Sequence, residues 1–248
     1  MRDELVSVVI PTYNRAYCIA DSVSSVLTQT YDNVEVIVVD DGSTDNTKEV
    51  LDALGDKRIR YVYQQNAGAC VARNRGVDEA SGALVAFHDS DDLWLPAKLD
   101  RQLTILDRSG ADFCICQMRT VREGADGTRM PVHVVPAESL TGADLTLERI
   151  LEKNFLSTQM VVGRRDVFLE ERFDARMPRL QDWDLGIRLF ARYSCTYVQE
   201  ILVEQIIRPD SLSSNPQKFV EAFGLIEEKN ADYLRAHEHV HAAMLSTT

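Results

Sequence analysis

The 248-residue chain has no apolar run near the ~20 residues that a helix needs to cross a bilayer, so any membrane contact is expected to be peripheral. Positive charge is also scarce. With 27 Lys and Arg against 39 Asp and Glu the formal net charge is −12, which argues against nucleic-acid binding, since phosphates need clustered cations. Paired cysteine spacing is missing as well. The five cysteines, Cys18, Cys70, Cys114, Cys116 and Cys195, are an odd number, and Cys114-Ile115-Cys116 is one residue short of C-x-x-C. Buried free thiols in a reducing compartment are the expectation. The opening residues run straight into a strand without a signal-peptide core, so the expected location is cytoplasmic, at most peripheral at the inner face of a membrane. Internal repeats and low-complexity tracts are also lacking.

What is present is an alternation of β-branched runs and helical periodicities. Leu5 to Ile10 reads as a buried strand stopped by Pro11, and Ile19, Val23, Val26 and Leu27 recur at helical spacing. Val34 to Val39 is a second strand, Ser43 to Leu54 a helix capped by Ser43 or Asp45, and Ile59 to Tyr63 a third strand. Cys70 to Ala80 reads as helix and Leu84 to Phe87 as a fourth strand. This order predicts an α/β fold on a mostly parallel, Rossmann-like central sheet flanked by helices. Beyond Pro96 a helix is expected over Ala97 to Ser109 and a strand over Asp112 to Met118. An irregular insertion or hairpin follows over Arg122 to Ala137, then a helix over Leu145 to Lys153 and a short strand over Thr158 to Gly163. Asp182 to Tyr193 reads as an amphipathic helix, Ser211 to Pro216 as a loop, and Phe219 to Ala243 as a mostly helical tail.

Two acidic clusters close apolar runs, at the strand ends where an open α/β sheet meets its ligand. Asp89-Ser90-Asp91 puts carboxylates two residues apart on one side of an extended backbone, a pair that suits a hard cation shared with phosphate oxygens. Such a tripeptide is also compatible with a solvated turn. Asp40-Asp41-Gly42-Ser43-Thr44-Asp45 fits a capped strand-to-helix turn or a corner that accepts a hydrogen bond from a nucleotide base. A receiver-type acidic pocket fits less well, because a suitably placed lysine near a later strand end is lacking.

Val6-Ser7-Val8-Val9-Ile10-Pro11-Thr12-Tyr13-Asn14, Val38 to Asp45, Asn66-Ala67-Gly68-Ala69 through Ala72-Arg73-Asn74-Arg75-Gly76, and Asp89-Ser90-Asp91-Asp92 with Trp94 and Pro96 occur in that order. Together they resemble family 2 of the glycosyltransferases, strongly over residues 5 to about 100 and more thinly to about 215. The resemblance implies a GT-A fold over residues 1–215, with a nucleotide-sugar donor half at 1–110, an acceptor half at 111–215 and a helical C-terminal tail at 216–248. It implies that Pro11, Thr12 and Tyr13 line the base pocket, that Asp41 binds a uracil imide with Asp40 beside it, and that Arg73 reaches the nucleotide. Asp89 would face the ribose or donor sugar, with Ser90 beside it, and Asp91, joined by Asp89, would hold Mn²⁺ or Mg²⁺ against the diphosphate. Asp92 is equally compatible with capping the next turn.

Gln181-Asp182-Trp183-Asp184 stands where the family has its catalytic acidic pair, so the resemblance makes Asp182 the base that takes the acceptor's proton. Gln181 departs from the usual Glu. Favourable placement in a helix dipole also accounts for Asp182 and Asp184 without catalysis. Arg208-Pro209-Asp210-Ser211 resembles the family's segment after the base helix, which implies that Arg208 stabilises the diphosphate, an ordinary surface arginine being the alternative. The expected activity is inverting transfer of a single sugar from a nucleotide-sugar donor, UDP-linked first, to a hydroxyl of a glycan or lipid-linked acceptor. The Q-x-x-R-W motif of processive relatives is missing. A sugar-nucleotide nucleotidyltransferase is the alternative among enzymes, but Pro11-Thr12-Tyr13-Asn14-Arg15 replaces its Gly-rich loop. A noncatalytic sugar-nucleotide or glycan-binding relic of the fold is the other. His237, His239 and His241 alternate on a helix and are expected to be solvated.

Overall fold

A computed structural model describes residues 3–124, 127–136, 139–207 and 216–246. The first half runs β1 (Val6–Thr12), α1 (Ile19–Leu27), β2 (Val34–Asp40), α2 (Thr47–Leu54), β3 (Ile59–Tyr63), α3 (Ala69–Glu79), β4 (Leu84–Phe87), β5 (Leu93–Trp94) and α4 (Lys98–Ser109). The second continues with β6 (Phe113–Glu123), β7 (Arg129–Val135), α5 (Leu147–Glu152), β8 (Val161–Arg164), α6 (Arg165–Glu170), α7 (Gln181–Arg192) and β9 (Cys195–Ile207). The tail forms α8 (Pro216–Lys229), α9 (Ala231–Ala236) and α10 (Glu238–Ser246).

One nine-stranded sheet carries both halves in the order β3-β2-β1-β4-β8-β6-β9-β5, with β7 paired to β6. The β3-β2-β1-β4 block is parallel, as is the long β6–β9 ladder, while β8 joins β4 and β6 antiparallel. Both faces of β1, β2 and β4 are covered, so their apolar runs are buried along almost their whole length, whereas β3 at the sheet edge is only partly buried. Val9, Ile37, Val85 and Phe87 pack toward α3, α5, α7 and the tail, whereas Val8, Ile10, Val36 and Ala86 pack toward α1 and α4. Helix α3 lies tight on β1: a Cβ at Gly76 would stand 2.2 Å from Val9 Cγ1, so this close approach requires glycine.

Several sequence expectations shift. Pro11 does not stop β1 but lies inside it, opposite Val39. Pairing with β4 ends at Val9, so the missing N–H of Pro11 faces a side that has no ladder to complete. Helix α2 starts at Thr47, and Ser43 does not cap it, because its hydroxyl accepts the Asn14 N–H at 2.8 Å. The 122–137 stretch is a hairpin in its described part, with β7 returning along β6. A 3₁₀ turn over Thr158–Met160 precedes β8. Strands β5 and β9 and helix α6 were not expected.

Only residues 88–92 separate β4 from β5, although β8, β6 and β9 lie between these two strands in the sheet. The connecting loop is itself turned, with the Asp92 N–H donating to the Asp89 carbonyl at 3.2 Å. The tail packs on α7: Trp183 and Phe223 have ring centroids 6.0 Å apart, and Lys229 pairs with the buried Asp184. Among the described residues no helix is long and apolar enough to cross a membrane.

Candidate active site

The register of the parallel strands builds one wall of a cleft of about 1300 Å³. Thr12 pairs opposite Asp40, so β1 and β2 end together and deliver Pro11, Thr12, Tyr13 and Asp41 to the same edge. Strand β4 ends earlier and feeds Asp89, Ser90 and Asp91 into the same space. Helix α3 adds Arg73, and the second half adds Asn154, Ser157, Thr158, Gln181 and Asp182. The cleft therefore gathers the expected site residues other than Asp40, which does not line it, and Arg208, which lies outside the described residues.

Asp40 and Asp41 divide their work. Asp40 is buried and accepts from the Ser43 N–H at 2.8 Å and the Tyr61 hydroxyl at 2.6 Å, fixing the turn. Asp41 accepts from Gln64 Nε2 at 2.7 Å, the Ala67 N–H at 2.9 Å and the Gly68 N–H at 2.8 Å, holding the segment that enters α3. Asn14 has a left-handed backbone (φ 52°), a conformation its short amide tolerates, and its Oδ1 accepts the Thr44 N–H at 2.8 Å. The Arg15 N–H then donates to Thr47 Oγ1 at 3.0 Å, and the Arg15 guanidinium comes within 3.6 Å of Asp91.

The Asp89–Asp91 segment rests on a stripe that sequence reading overlooked. Cys18, Ser22, Ser25 and Gln29 follow one another at spacings of three or four beside the apolar positions of α1. Ser22 Oγ donates to the Asp89 carbonyl at 3.0 Å and Cys18 Sγ to the Ser90 carbonyl at 3.5 Å. Ser25 Oγ accepts the Trp94 N–H at 3.1 Å, and Gln29 both donates to the Leu95 carbonyl at 2.8 Å and accepts the Leu99 N–H at 3.1 Å. Polar residues repeating at helical spacing beside a core-facing stripe were the available signal. They satisfy loop carbonyls and amides that burial would otherwise orphan.

Asp92 does not cap a turn. Its Oδ1 accepts the Ile206 N–H at 3.0 Å and its Oδ2 accepts Gln159 Nε2 at 2.7 Å, tying the loop to β9 and to the turn before β8. Beneath it lie the fully buried His88 and Lys98. Burial pushes His88 down to about 3, so it is neutral, and Lys98 down to about 8. Lys98 Nζ sits 3.9 Å from the Trp94 ring centroid and donates to Gln102 Oε1 at 2.7 Å.

Across the cleft, α7 opens on Gln181 and Asp182. The preceding Leu180 has φ 58°, a left-handed backbone rare for a residue with a branched side chain. Loss of surrounding water pushes the Asp182 carboxyl up, and the nearby Asp89 charge adds to this; the Trp183 N–H at 2.8 Å, the Arg73 charge and the Asn154 amide pull it back. Arg73 connects the two walls: Nη2 donates to Asp89 Oδ1 at 2.8 Å and Nη1 to Gln181 Oε1 at 3.0 Å. Its Nε and the Thr12 hydroxyl are buried without a hydrogen-bond partner among the described residues, at a cleft wall. Asp184, by contrast, is buried in an ion-pair cluster with Arg188 and Lys229. All five cysteines are free and all but Cys195 are buried. Among the alternating histidines, His241 pairs with Glu227 at 2.8 Å and His237 stacks on Tyr233.

Residues 7–172 match the family model described as Glycosyl transferase family 2. The chain is 35% identical over 221 residues to the putative teichuronic acid biosynthesis glycosyltransferase TuaG of Bacillus subtilis, covering 86% of this chain and 83% of that one. It is 33% identical over 228 residues to an uncharacterized glycosyltransferase of Rickettsia bellii, covering 91% of this chain but 32% of that protein, so it spans about a third of this relative's length. Over 114 residues it is 43% identical to the Escherichia coli UDP-Glc:alpha-D-GlcNAc-diphosphoundecaprenol beta-1,3-glucosyltransferase WfgD, covering 46% and 45% of the two chains. Among solved structures, residues 1-349 of S. aureus TarS in complex with UDP-GlcNAc superpose with a TM-score of 0.76 at 23% identity, covering 96% of this chain and 70% of that TarS chain. The mannosyltransferase PcManGT of Pyrobaculum calidifontis, in complex with GDP-Man and Mn²⁺, superposes with a TM-score of 0.69 at 19% identity, covering 97% and 72%.

Proposed function

Because the chain belongs to glycosyl transferase family 2 and has the GT-A fold, we propose that it moves one sugar from a nucleotide-sugar donor, UDP-linked, to a hydroxyl of a glycan or lipid-linked acceptor, with inversion. One observation carries this reading: Arg73 bonds Asp89 on one wall and Gln181, beside Asp182, on the other, so a phosphate-facing carboxylate and a candidate base share a single cleft. The names of WfgD and of the TarS complex support UDP-linked donors, and that of WfgD a lipid-linked acceptor.

In this reading Pro11, Thr12 and Tyr13 hold the base, with Asp41 at the uracil edge, and the unmet Thr12 hydroxyl is satisfied by the ligand. The side chains of Asp89 and Asp91 offer oxygen ligands only, which suits a hard divalent cation. Among the described residues no group of three or more His, Cys, Asp or Glu side chains forms a metal cage, so donor phosphates would complete the shell. Mn²⁺ or Mg²⁺ held there would neutralise charge on the leaving diphosphate. Arg15 and Arg73 set cationic charge beside the same carboxylates, and Arg208 would add to it. Asp182 accepts the acceptor's hydroxyl proton as that oxygen attacks the anomeric carbon, and its raised pKa makes it a better base than an exposed carboxylate. Residues 1–110 serve the donor and 111–215 the acceptor, at the cytoplasmic face of a membrane.

The test is calorimetric titration with UDP, GDP, dTDP and CDP, each with and without Mn²⁺. Tight binding of UDP alone, and only with metal, is expected, and Asp91→Ala should abolish the metal-dependent part. Unchanged Mn²⁺-dependent UDP affinity in that variant removes the metal assignment, and binding of no nucleotide removes the donor site.

A further inference from the structure

We propose that Arg179 and Lys218 form a subsite for phosphate oxygens carried by the acceptor, a claim that rests on the glycosyl-transfer reading above. Four cations line the cleft with the acidic residues: Arg15, Arg73, Arg179 and Lys218. The first two face Asp91 and Asp89. Arg179 has no carboxylate within ion-pair distance among the described residues. Its guanidinium lies 5.4 Å from the Phe219 ring centroid, so an aromatic face supports it without neutralising its charge. Lys218 precedes that ring in α8 and lines the same cleft. In a protein of net charge −12, a cation in the main cleft with no ion-paired carboxylate among the described residues is a local attraction for an anion.

The backbone supports the assignment. Met177, Pro178, Arg179, Leu180, Gln181 and Asp182 all line the cleft, which six consecutive helical residues could not do. The left-handed Leu180 breaks the run, so Arg179 and the Gln181–Asp182 pair meet the same space from either side of the bend. A non-glycine residue held there costs on the order of 1–3 kcal/mol, and such strain persists where surrounding structure enforces it, often at binding sites. A planar guanidinium with fixed donors suits phosphate oxygens bidentately.

The acceptor is the better source of those oxygens. Arg15 and Arg73 already flank the donor carboxylates, whereas Arg179 lies just ahead of the base helix, three residues before Asp182, and Lys218 comes from the tail packed on that helix. An acceptor presenting its hydroxyl to Asp182 passes between them. The shared chemistry is a phosphate ester, borne either as a lipid diphosphate or as a phosphodiester of a polyol chain.

The test uses the full chain saturated with UDP and Mn²⁺, so that the donor site is filled. It is titrated separately with geranyl diphosphate, with the phosphodiester glycerophosphoglycerol, and with geraniol. One phosphate probe should bind and geraniol should not, and the probe that binds identifies the source. Arg179→Ala should weaken that probe at least tenfold, Arg179→Lys should recover part of the loss, and Lys218→Ala should cost several-fold, all with UDP affinity within twofold of the parent. Equal probe binding by Arg179→Ala, or equal binding of geraniol, overturns the subsite. A matching fall in UDP affinity assigns Arg179 to the donor and overturns the acceptor claim. UDP binding with neither phosphate probe sinks the subsite alone, whereas a parent chain that binds no nucleotide sinks the transferase reading itself.

Discussion

Arg73 donates to Gln181 across the cleft at 3.0 Å, although 108 residues separate them in sequence. The same guanidinium holds Asp89 at 2.8 Å. The two walls of the cleft are thus joined through one side chain, and the residue beside the candidate base shares it with the donor-side carboxylate. A glutamate at 181 would pair with Arg73 as an ion. The glutamine bonds without adding a second negative charge beside Asp89, so the arginine charge still lowers the Asp182 carboxyl.

Replacing Asp182 by Asn should cut turnover about 10²- to 10⁴-fold while leaving UDP affinity in place, because general-base catalysis is lost and donor contacts are kept. The same change has a stability signature. Asp182 has a raised pKa in the fold, so its ionisation opposes folding once pH rises above the ordinary carboxylate value of about 3.9. The Asn variant should be more stable than the parent at neutral pH, and this advantage should vanish below that value. Parallel denaturant melts at both pH values check it.

Arg73→Lys should lose nucleotide affinity about tenfold and turnover by more. An ammonium is a point charge and cannot hold Asp89 and Gln181 in one planar fork. Titration with UDP and Mn²⁺, set beside initial rates, separates the two losses.

Gln181→Glu should move the acid limb of the pH profile of kcat/KM upward. The parent limb should itself lie above the usual carboxylate range, since lost hydration raises Asp182. A second carboxylate repels the first and offsets the Arg73 charge that now lowers it, and both effects have the same sign. Gln181→Met should leave the limb near the parent position or slightly lower it; an upward shift of equal size in both variants would show that Asp182 does not set this limb.

Lys229→Met should destabilise the protein by about 2 kcal/mol, since it strips a partner from the buried Asp184 while Arg188 remains. A chain of this size should then melt roughly 4–8 °C lower. UDP affinity should persist, because Asp184 lies outside the cleft lining.

Much of this was legible in the chain. The parallel β3-β2-β1-β4 block announced itself because β1, β2 and β4 are buried on both faces and read as short apolar runs at regular spacing. Asp41 and Asp89 were nameable because each follows a strand, whereas Arg73, inside α3, and Asp182, near the start of α7, were named through the family's motifs. Strand β9 was not, since its pairing with β6 is irregular around Gln117 and polar residues interrupt its apolar ones. Strand β5 is two residues long and owes its existence to β9 alone. Asp92 read as a cap because its partners, Gln159 and Ile206, are 67 and 114 residues away. The α1 stripe was readable and was passed over: Ser22, Ser25 and Gln29 look like ordinary polar residues until the loop they serve is known.

The short loop between β4 and β5 has a mechanical meaning. Four strand spacings of about 4.8 Å would separate those strands by about 19 Å in a flat sheet, and a turned loop over residues 88–92 falls short of that span. The sheet must arch, and the loop is the tie drawn across the arch, pinned at its far end through Asp92 and the Leu95 N–H, which donates to the Leu202 carbonyl at 2.9 Å. Asp89 and Asp91 ride on that tie. The arch cannot flatten without stretching it, so the spacing between the Asp89 and Asp91 carboxylates and strands β6 and β9 is limited by covalent chain length as well as by side-chain packing.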